Sequence, residues 1–212
     1  LQDWEGLYEH SRQAMDLFPN QPQTYFLHAV ACVQLEKFEE TASIAEEGLM
    51  YVVENKQMKG QFLMLKGEAL YKLGKIQEAF DLFDQSVELD PENHIALNNY
   101  AYYLSLAGEN LDKAERMSGR VIEKFPENAT YLDTYAWVLF KKGDYSLAKF
   151  YMESALKFDG SQNATLLEHY GDILYKLDKK DEALEYWRKA QDLGDNNEIL
   201  DRKISEKKYF EE

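Results

Sequence analysis

Apolar and small residues recur along this chain at steps of three and four, the spacing that places them on one face of a helix. Two such runs lie within residues 60–93: Leu63, Gly67 and Leu70 in the first, and Ile76, Ala79, Phe83, Ser86 and Val87 in the second. Gly74 stands between the runs, and glycine ends a helix at low cost in the left-handed conformation. Pro91 follows the second run, and proline cannot continue a helix. The segment is therefore predicted to form two antiparallel amphipathic helices joined by a tight turn.

The same pattern recurs along the chain with a period of 34 or 35 residues. The matching positions hold leucine (Leu70, Leu104, Leu139, Leu174), a turn residue (Gly74, Gly108, Gly143, Asp178) and alanine (Ala79, Ala114, Ala148, Ala183). A fixed period of this length indicates helix pairs that stack on their neighbours and bury a continuous core between them. The sequence therefore predicts an all-α solenoid of antiparallel helix pairs.

Small residues are expected where the two helices of a pair approach each other. One position of the first helix holds Gly67, Ala101, Ala136 and Gly171, and Ala79, Ala114, Ala148 and Ala183 are expected at the same contact on the second helix. A leucine at the small position would overpack the contact, at a cost of roughly 1–3 kcal/mol. Because four units keep these positions, we interpret them as a repeat and not as a chance run of helical hairpins.

The repeat divides the chain into a single solenoid over residues 1–212. Its parts are a second helix alone at 1–21, a degenerate repeat with an insertion near Lys56 to Lys59 at 22–59, full repeats at 60–93, 94–128, 129–163 and 164–197, and a capping helix at 198–212. A solenoid that starts with half a unit exposes an apolar edge. We therefore expect further repeats or another domain before Leu1, or self-association through this edge.

The recurring residues resemble the tetratricopeptide repeat. The small residue at the eighth position and the alanine at the twentieth follow the family pattern in the four full repeats, and Pro91 and Pro126 close two of the units. The match spans nearly the whole chain. The resemblance implies a right-handed superhelical solenoid in which the first helix of each pair lines the concave side. It also implies a protein–protein interaction module, although the pattern is specific to the repeat and not to a function.

In this family, ligands usually contact a small set of positions on the first helices. On this chain those positions hold acids, amides and aromatic rings: Met64, Glu68, Tyr71, Asn98, Asn99, Tyr102, Asp133, Thr134, Trp137, Phe140, Glu168, His169, Asp172 and Tyr175. Aromatic anchors flanked by polar groups are typical of binding hot spots. The resemblance therefore predicts a concave groove that binds a peptide or helix of a partner protein. The alternative is that the rings are core residues, and Trp137 in particular fits packing on the neighbouring unit.

The groove residues also exclude one kind of ligand. Family members that hold a C-terminal carboxylate use lysine and arginine at the positions that are Gln61, Met64, Asn98, Asp133, Glu168 and Asp172 here. A terminal carboxylate would therefore meet repulsion in this groove. Asn99 could still bond a peptide backbone, but the amide does not persist at the matching positions of the next two repeats.

The last three repeats are also similar to the C-terminal part of bacterial envelope repeat lipoproteins. The likeness includes the one-residue insertion before Ala114 in the segment GENLDKA. It implies an adaptor anchored to the outer membrane, in the bacterial periplasm, and the cytoplasm remains the alternative location.

Charge excludes two classes of partner. The net charge is −15 and the sequence pI about 4.7, whereas a protein that coats phosphate backbones needs lysine and arginine to release counterions. Nucleic acid and anionic membrane surfaces are therefore disfavoured, and an apolar or basic protein segment is favoured. The longest apolar run, residues 25–33, is too short for a transmembrane helix.

Nothing in the sequence points to catalysis. The four histidines, His10, His28, His94 and His169, include no pair at three or four residues' spacing, and no zinc-protease motif occurs. Cys32 is the only cysteine, and its place on an inward helix face predicts an inert thiol. We predict no metal, no cofactor and no enzyme activity. The leading hypothesis is an adaptor, and the alternative is the scaffold or regulatory part of a larger protein whose active domain lies N-terminal to this chain.

Overall fold

The computed structural model describes residues 3–158, 163–194 and 197–210, and within these ranges it contains twelve helices and no strands. The helices are α1 (Trp4–Leu17), α2 (Pro22–Gln34), α3 (Phe38–Met50), α4 (Lys56–Lys72), α5 (Ile76–Leu89), α6 (His94–Ala107), α7 (Leu111–Lys124), α8 (Ala129–Lys142), α9 (Tyr145–Phe158), α10 (Ala164–Lys176), α11 (Lys180–Asp192) and α12 (Glu198–Glu206). The all-α prediction is confirmed. The chain divides into two compact units, residues 1–96 and 97–212.

In the first unit, each helix from α1 to α5 packs against the next one in the chain. Tyr25, Ala45 and Phe62 form a buried cluster at the centre of α2, α3 and α4. The predicted insertion lies in α4, which begins at Lys56 and is 17 residues long. The Asn55 side chain accepts a hydrogen bond from the Met58 N–H and so caps this helix. The extra residues thus form an added first turn of α4.

In the second unit, α8 pairs with α9 and α10 pairs with α11, and α12 packs on α11. One continuous core joins these pairs, as expected for stacked repeats, and it includes Trp137, Met152, Trp187 and Leu200. Leu200 of α12 is fully buried, so α12 covers the last helix pair. This position corresponds to that of a capping helix.

The turns between paired helices use the left-handed backbone conformation. Gly74 has φ 77° and Gly143 has φ 88°, and at either residue the position that a Cβ would take has no atom within 4 Å apart from those of the glycine and its chain neighbours. The matching residue of the last repeat is Asp178, with φ 60°. Aspartate tolerates this conformation better than most residues because its short polar side chain can bond locally. The turn therefore survives in a full repeat that lacks glycine at this position.

The residue at the close helix contact is glycine in the repeats where it faces an aromatic ring. A Cβ on Gly67 would lie 2.4 Å from Cε1 of Phe83, and one on Gly171 would lie 2.4 Å from Cδ1 of Trp187. The two repeats with alanine at this position have Ser118 and Met152 in place of the ring. The glycines therefore leave room for aromatic side chains in their own repeats.

Replacement of Gly67 by alanine is expected to destabilise the fold by about 1–3 kcal/mol, because the new Cβ would overlap the Phe83 ring, which is fully buried. The matched control is Gly119→Ala in α7, where the new Cβ would meet only Cε2 of Tyr135 at 3.7 Å. Alanine there gains helix propensity without a clash, so the control should be neutral or up to about 1 kcal/mol more stable. Urea denaturation of both variants tests the difference, and equal stabilities would contradict the packing explanation.

Candidate functional site

The predicted groove residues of the first unit lie on one face of α4. Met64, Glu68 and Tyr71 follow one another at steps of four and three, and all three are half-buried. The Tyr71 ring lies 6.2 Å from the Phe80 ring of α5. This part of the predicted surface is therefore partly accessible and partly packed on its own helix pair.

The predicted residues of the second unit differ sharply in exposure. Asn99 and Tyr102 of α6 and Tyr175 of α10 are half-buried. The others are buried: Asn98, Asp133, Thr134, Trp137, Phe140, Glu168, His169 and Asp172. Aspartate and glutamate are almost never fully buried unless they are paired. The partners of these acids therefore decide what this surface can do.

One set of contacts joins α8 to α10. His169 Nδ1 lies 2.8 Å from Asp133 Oδ1, and the His169 ring stacks on the Trp137 ring with 4.0 Å between centroids. The Trp137 ring also stacks on Phe140 at 4.7 Å. These polar and aromatic side chains thus form the seam between the first helices of two successive repeats.

A second set of contacts joins α10 to α12 through one lysine. The Lys203 Nζ donates to Glu168 Oε1 at 2.6 Å and to Asp172 Oδ2 at 2.7 Å, and Lys203 is fully buried. Asp172 also accepts from Nε1 of the buried Trp187 at 2.9 Å. Asn197, which caps α12, donates to Glu168 Oε2 at 3.3 Å. Three buried charges are therefore satisfied within one network.

The network changes the protonation behaviour of its members. Burial raises the pKa of the Asp172 carboxyl to about 6, although the neighbouring Lys203 ammonium acts in the opposite direction. Burial acts to lower the pKa of Lys203, but Asp172 and Glu168 outweigh it and raise that pKa above its usual range. The lysine therefore stays charged at neutral pH and neutralises much of the acidic face of α10.

The residues after α12 turn back over the same surface. Lys207 ends α12 in the left-handed conformation with φ 51°. The Tyr209 ring then lies 5.8 Å from the Phe140 ring and 6.5 Å from the Tyr175 ring. The Lys176 ammonium lies 4.1 Å from the centre of the Tyr209 ring. Residues 198–210, which we call the C-terminal segment, thus cover much of the predicted face of α8 and α10.

Lys203 and Tyr209 were not among the predicted site residues. The sequence held one signal for Lys203, since it follows Glu168 by 35 residues and so stands one repeat period after it. In a stacked array, a residue one period later lies on the equivalent helix of the next unit and is therefore expected to be close in space. Tyr209 gave no such signal, because it lies beyond the last helix and its place depends on the turn at Lys207.

Two buried side-chain atoms in the described residues have no hydrogen-bond partner, and both belong to the predicted groove. They are Oδ1 of Asn98 and Nε1 of Trp137. An unpaired buried acceptor or donor costs about 1–3 kcal/mol. Such atoms are therefore candidates for contacts with a ligand.

The first unit brings together a set of side chains that the sequence interpretation did not connect. The ligand-type atoms of His28, Cys32 and Glu40 lie within 4.8 Å of one another and could hold a metal ion. The His28 ring already lies 2.9 Å from Ser11 Oγ and 3.4 Å from Glu40 Oε1. Burial raises the pKa of the Cys32 thiol to about 12. Hydrogen bonds thus occupy both ring nitrogens of His28, and the Cys32 thiol is protonated at neutral pH. The signal was the four-residue spacing of His28 and Cys32, which puts them on one helix face.

No helix among residues 3–158, 163–194 and 197–210 has both the length and the apolar character that crossing a bilayer requires.

The paired helices, their turns and their common core define an α-helical repeat protein. Family models of the tetratricopeptide repeat match residues 60–93, 82–116 and 134–198, which together make up more than half of the chain. The chain belongs to the tetratricopeptide repeat family. A comparison with curated protein sequences gives no match.

Several solved structures share the fold. The APC/C hetero-tetramer Cut9–Hcn1 contains a chain that matches 97% of this one with a TM-score of 0.82 and 16% identity, and the match covers 39% of that longer chain. TTC0263, a tetratricopeptide repeat protein of Thermus thermophilus, matches 88% of this chain and 98% of its own, with a TM-score of 0.71 and 16% identity. YrrB, which has an unusual peptide-binding site, matches 94% of this chain and 99% of its own, with a TM-score of 0.60 and 15% identity. At these identities the likeness establishes the fold alone.

Proposed function

We propose that this chain is a non-enzymatic interaction module that binds an extended or helical segment of a partner protein on the first-helix face of its second unit. The tetratricopeptide fold itself favours a protein–protein interaction role, and the matching family models describe a repeat and not a catalytic domain. The peptide-binding site of YrrB shows that a protein of this fold can hold such a ligand. The part of the surface that binds is inferred from the side chains.

The unpaired atoms of Asn98 and Trp137 carry the proposal. Each peptide group of a bound segment offers one N–H donor and one C=O acceptor. The side-chain Oδ1 of Asn98 matches the N–H donor of such a ligand, and the indole N–H of Trp137 matches its C=O acceptor. Both residues lie on first helices. Both atoms are closed to solvent, so a ligand backbone reaches them only when the side chains that cover them move aside. Pairing them then removes the cost of leaving them unsatisfied. The half-buried Tyr102 of α6 adds an aromatic surface beside the core, which suits an apolar side chain of the partner.

The test is the capture of ligands from a random peptide library by the full chain. In Trp137→Phe combined with Asn98→Ala, the ring remains but the two bonding atoms are gone. Two neutral hydrogen bonds of about 1 kcal/mol each predict a loss of affinity on the order of tenfold or more. Isothermal titration with the selected peptides measures it.

The control is Trp4→Phe, a change of the same kind on α1 in the other unit. It should leave the affinity unchanged. Capture of no peptide, or equal affinity of the double variant and the parent, would rule out this surface.

The cellular role follows from the partner. An outer-membrane lipoprotein adaptor in the bacterial periplasm accords with the likeness of the last three repeats to envelope proteins, and a scaffold in a larger multidomain protein is the second candidate. Fractionation of native cells distinguishes them, because only the former is found with the envelope. The net charge of −15 favours a basic or apolar partner in both cases.

A further inference from the structure

Two parts of the C-terminal segment contact the second unit, and they differ in how deeply their side chains are buried. Lys203 is fully buried between Glu168 and Asp172 and belongs to the core of the last repeat. Tyr209 and Phe210 are half-buried and lie beyond the left-handed residue Lys207. The Tyr209 ring contacts the rings of Phe140 and Tyr175, and the Phe210 ring lies beside the Arg202 guanidinium. The tail, residues 207–210, is tied to α12 by the hydrogen bond that the Lys208 N–H donates to the Lys203 carbonyl, so its two rings can leave the surface while α12 stays in place.

The tail rests on the aromatic part of the predicted groove. Tyr209 meets Phe140 edge-on, and Phe140 in turn stacks on Trp137, the ring whose N–H lacks a partner. The tail also contains lysine immediately before its two rings, in the order Lys207, Lys208, Tyr209, Phe210. Release of the tail would take the Tyr209 ring away from Phe140, which is now 4% exposed.

We propose that the tail is an internal occupant of the aromatic site formed by Phe140 and Tyr175, and that the partner segment that replaces it places an aromatic ring in the position of Tyr209. The proposal rests on the proposed function and adds to it the chemistry of the partner. The tail itself is the template, since its tyrosine ring fits between Phe140 and Tyr175 and beneath the Lys176 ammonium.

Occupation by the tail lowers the apparent affinity for any competitor. A ligand that binds only the open form loses affinity in proportion to the fraction of molecules in which the tail is closed. If the tail is closed in about nine molecules of ten, its removal raises the affinity about tenfold. The effect is specific to ligands that use the aromatic site.

The experiment compares the full chain with its Tyr209→Ala variant. The probe is a fluorescently labelled peptide with the sequence of residues 205–212, SEKKYFEE, and a second peptide has alanine in place of the tyrosine. Tyr209→Ala should bind the tyrosine peptide about tenfold more tightly than the parent does. The alanine peptide should bind neither protein. Phe150→Ala, which removes an exposed ring on α9, is the matched control and should behave as the parent does.

Three results would overturn the proposal: equal affinity of the parent and Tyr209→Ala for the tyrosine peptide, equal binding of both peptides, or a dimer of the parent that Tyr209→Ala abolishes. The last result would make a second copy the occupant. A chain that ends at Lys208 repeats the test if Tyr209→Ala loses helical circular dichroism.

Peptides selected from the random library separate the two proposals. If they bind parent and variant equally, the tail proposal fails and the proposed function stands, whereas a failure to select any peptide with either protein removes the proposed function.

Discussion

Replacing Lys203 by methionine is expected to lower the free energy of unfolding by about 3–5 kcal/mol, because it leaves Glu168 and Asp172 buried without their cation. Methionine keeps most of the apolar stem, so the loss is electrostatic and not a cavity effect. Urea denaturation at pH 8 measures it. The control is Lys189→Met, whose ion pair with Glu185 is exposed and should contribute less than about 0.5 kcal/mol.

The destabilisation by Lys203→Met should shrink as the pH falls. The pKa of Asp172 is already raised to about 6 in the folded protein, above its ordinary value of 3.8, so the folded state holds this proton more tightly than the unfolded state. Such a carboxyl opposes folding above pH 6, and that opposition is relieved as the pH falls from 6 towards 3.8. Without Lys203 the pKa of Asp172 rises further, and protonation removes the uncompensated charge. A loss at pH 5 as large as that at pH 8 would contradict the assignment of Lys203 as the neutralising group.

Replacing Trp187 by alanine is expected to cost about 3–5 kcal/mol, the range for removing a large aromatic side chain from a core. Trp187 is fully buried and fills the space that Gly171 leaves open, and it stacks on Tyr175 at 5.7 Å. Collapse into the cavity is limited, because the helices on both sides also belong to the shared core. Thermal and urea denaturation both report the loss.

Trp187→Phe separates packing from hydrogen bonding at the same position. Phenylalanine keeps a ring in the cavity but removes the Nε1 donor to Asp172. Hydrogen bonds to charged groups contribute about 1.5–3 kcal/mol, so this variant should lose clearly less than the alanine variant. If both variants lose the same amount, the hydrogen bond and not the ring volume supports the fold.

The repeat could be predicted because single residues mark its turns and its helix contacts. Gly74 and Gly143 mark turns that need a left-handed residue, and Ala79 marks a contact that admits no larger side chain. These requirements are local, since they involve one turn or one helix pair, and they return with every period. The reason for glycine at 67 and 171 was predicted only in part, because the ring that each faces belongs to the next helix.

The candidate surface was predictable only as a set of positions. Periodicity shows that Glu168, Asp172 and Phe140 lie on first helices, but a helix position does not reveal what lies above it. A lysine in α12 and a tyrosine beyond it take that place here. The interpretation of Trp137 as a residue that packs on the neighbouring repeat agrees with its stacking on His169. Its role in binding a partner stays a prediction.

The sequence alone determined that this protein is an array of helix pairs, because each pair depends on residues close together in the chain and the same solution is repeated. The tertiary structure alone decided that Glu168, Asp172, Phe140 and Tyr175 contact the protein's own C-terminal segment. The physical reason is that a buried charge is stable only beside an opposite charge, and the fold brings Lys203 to two acids that lie 31 residues or more away in the chain. A pattern of neighbouring residues does not show that these distant side chains come into contact.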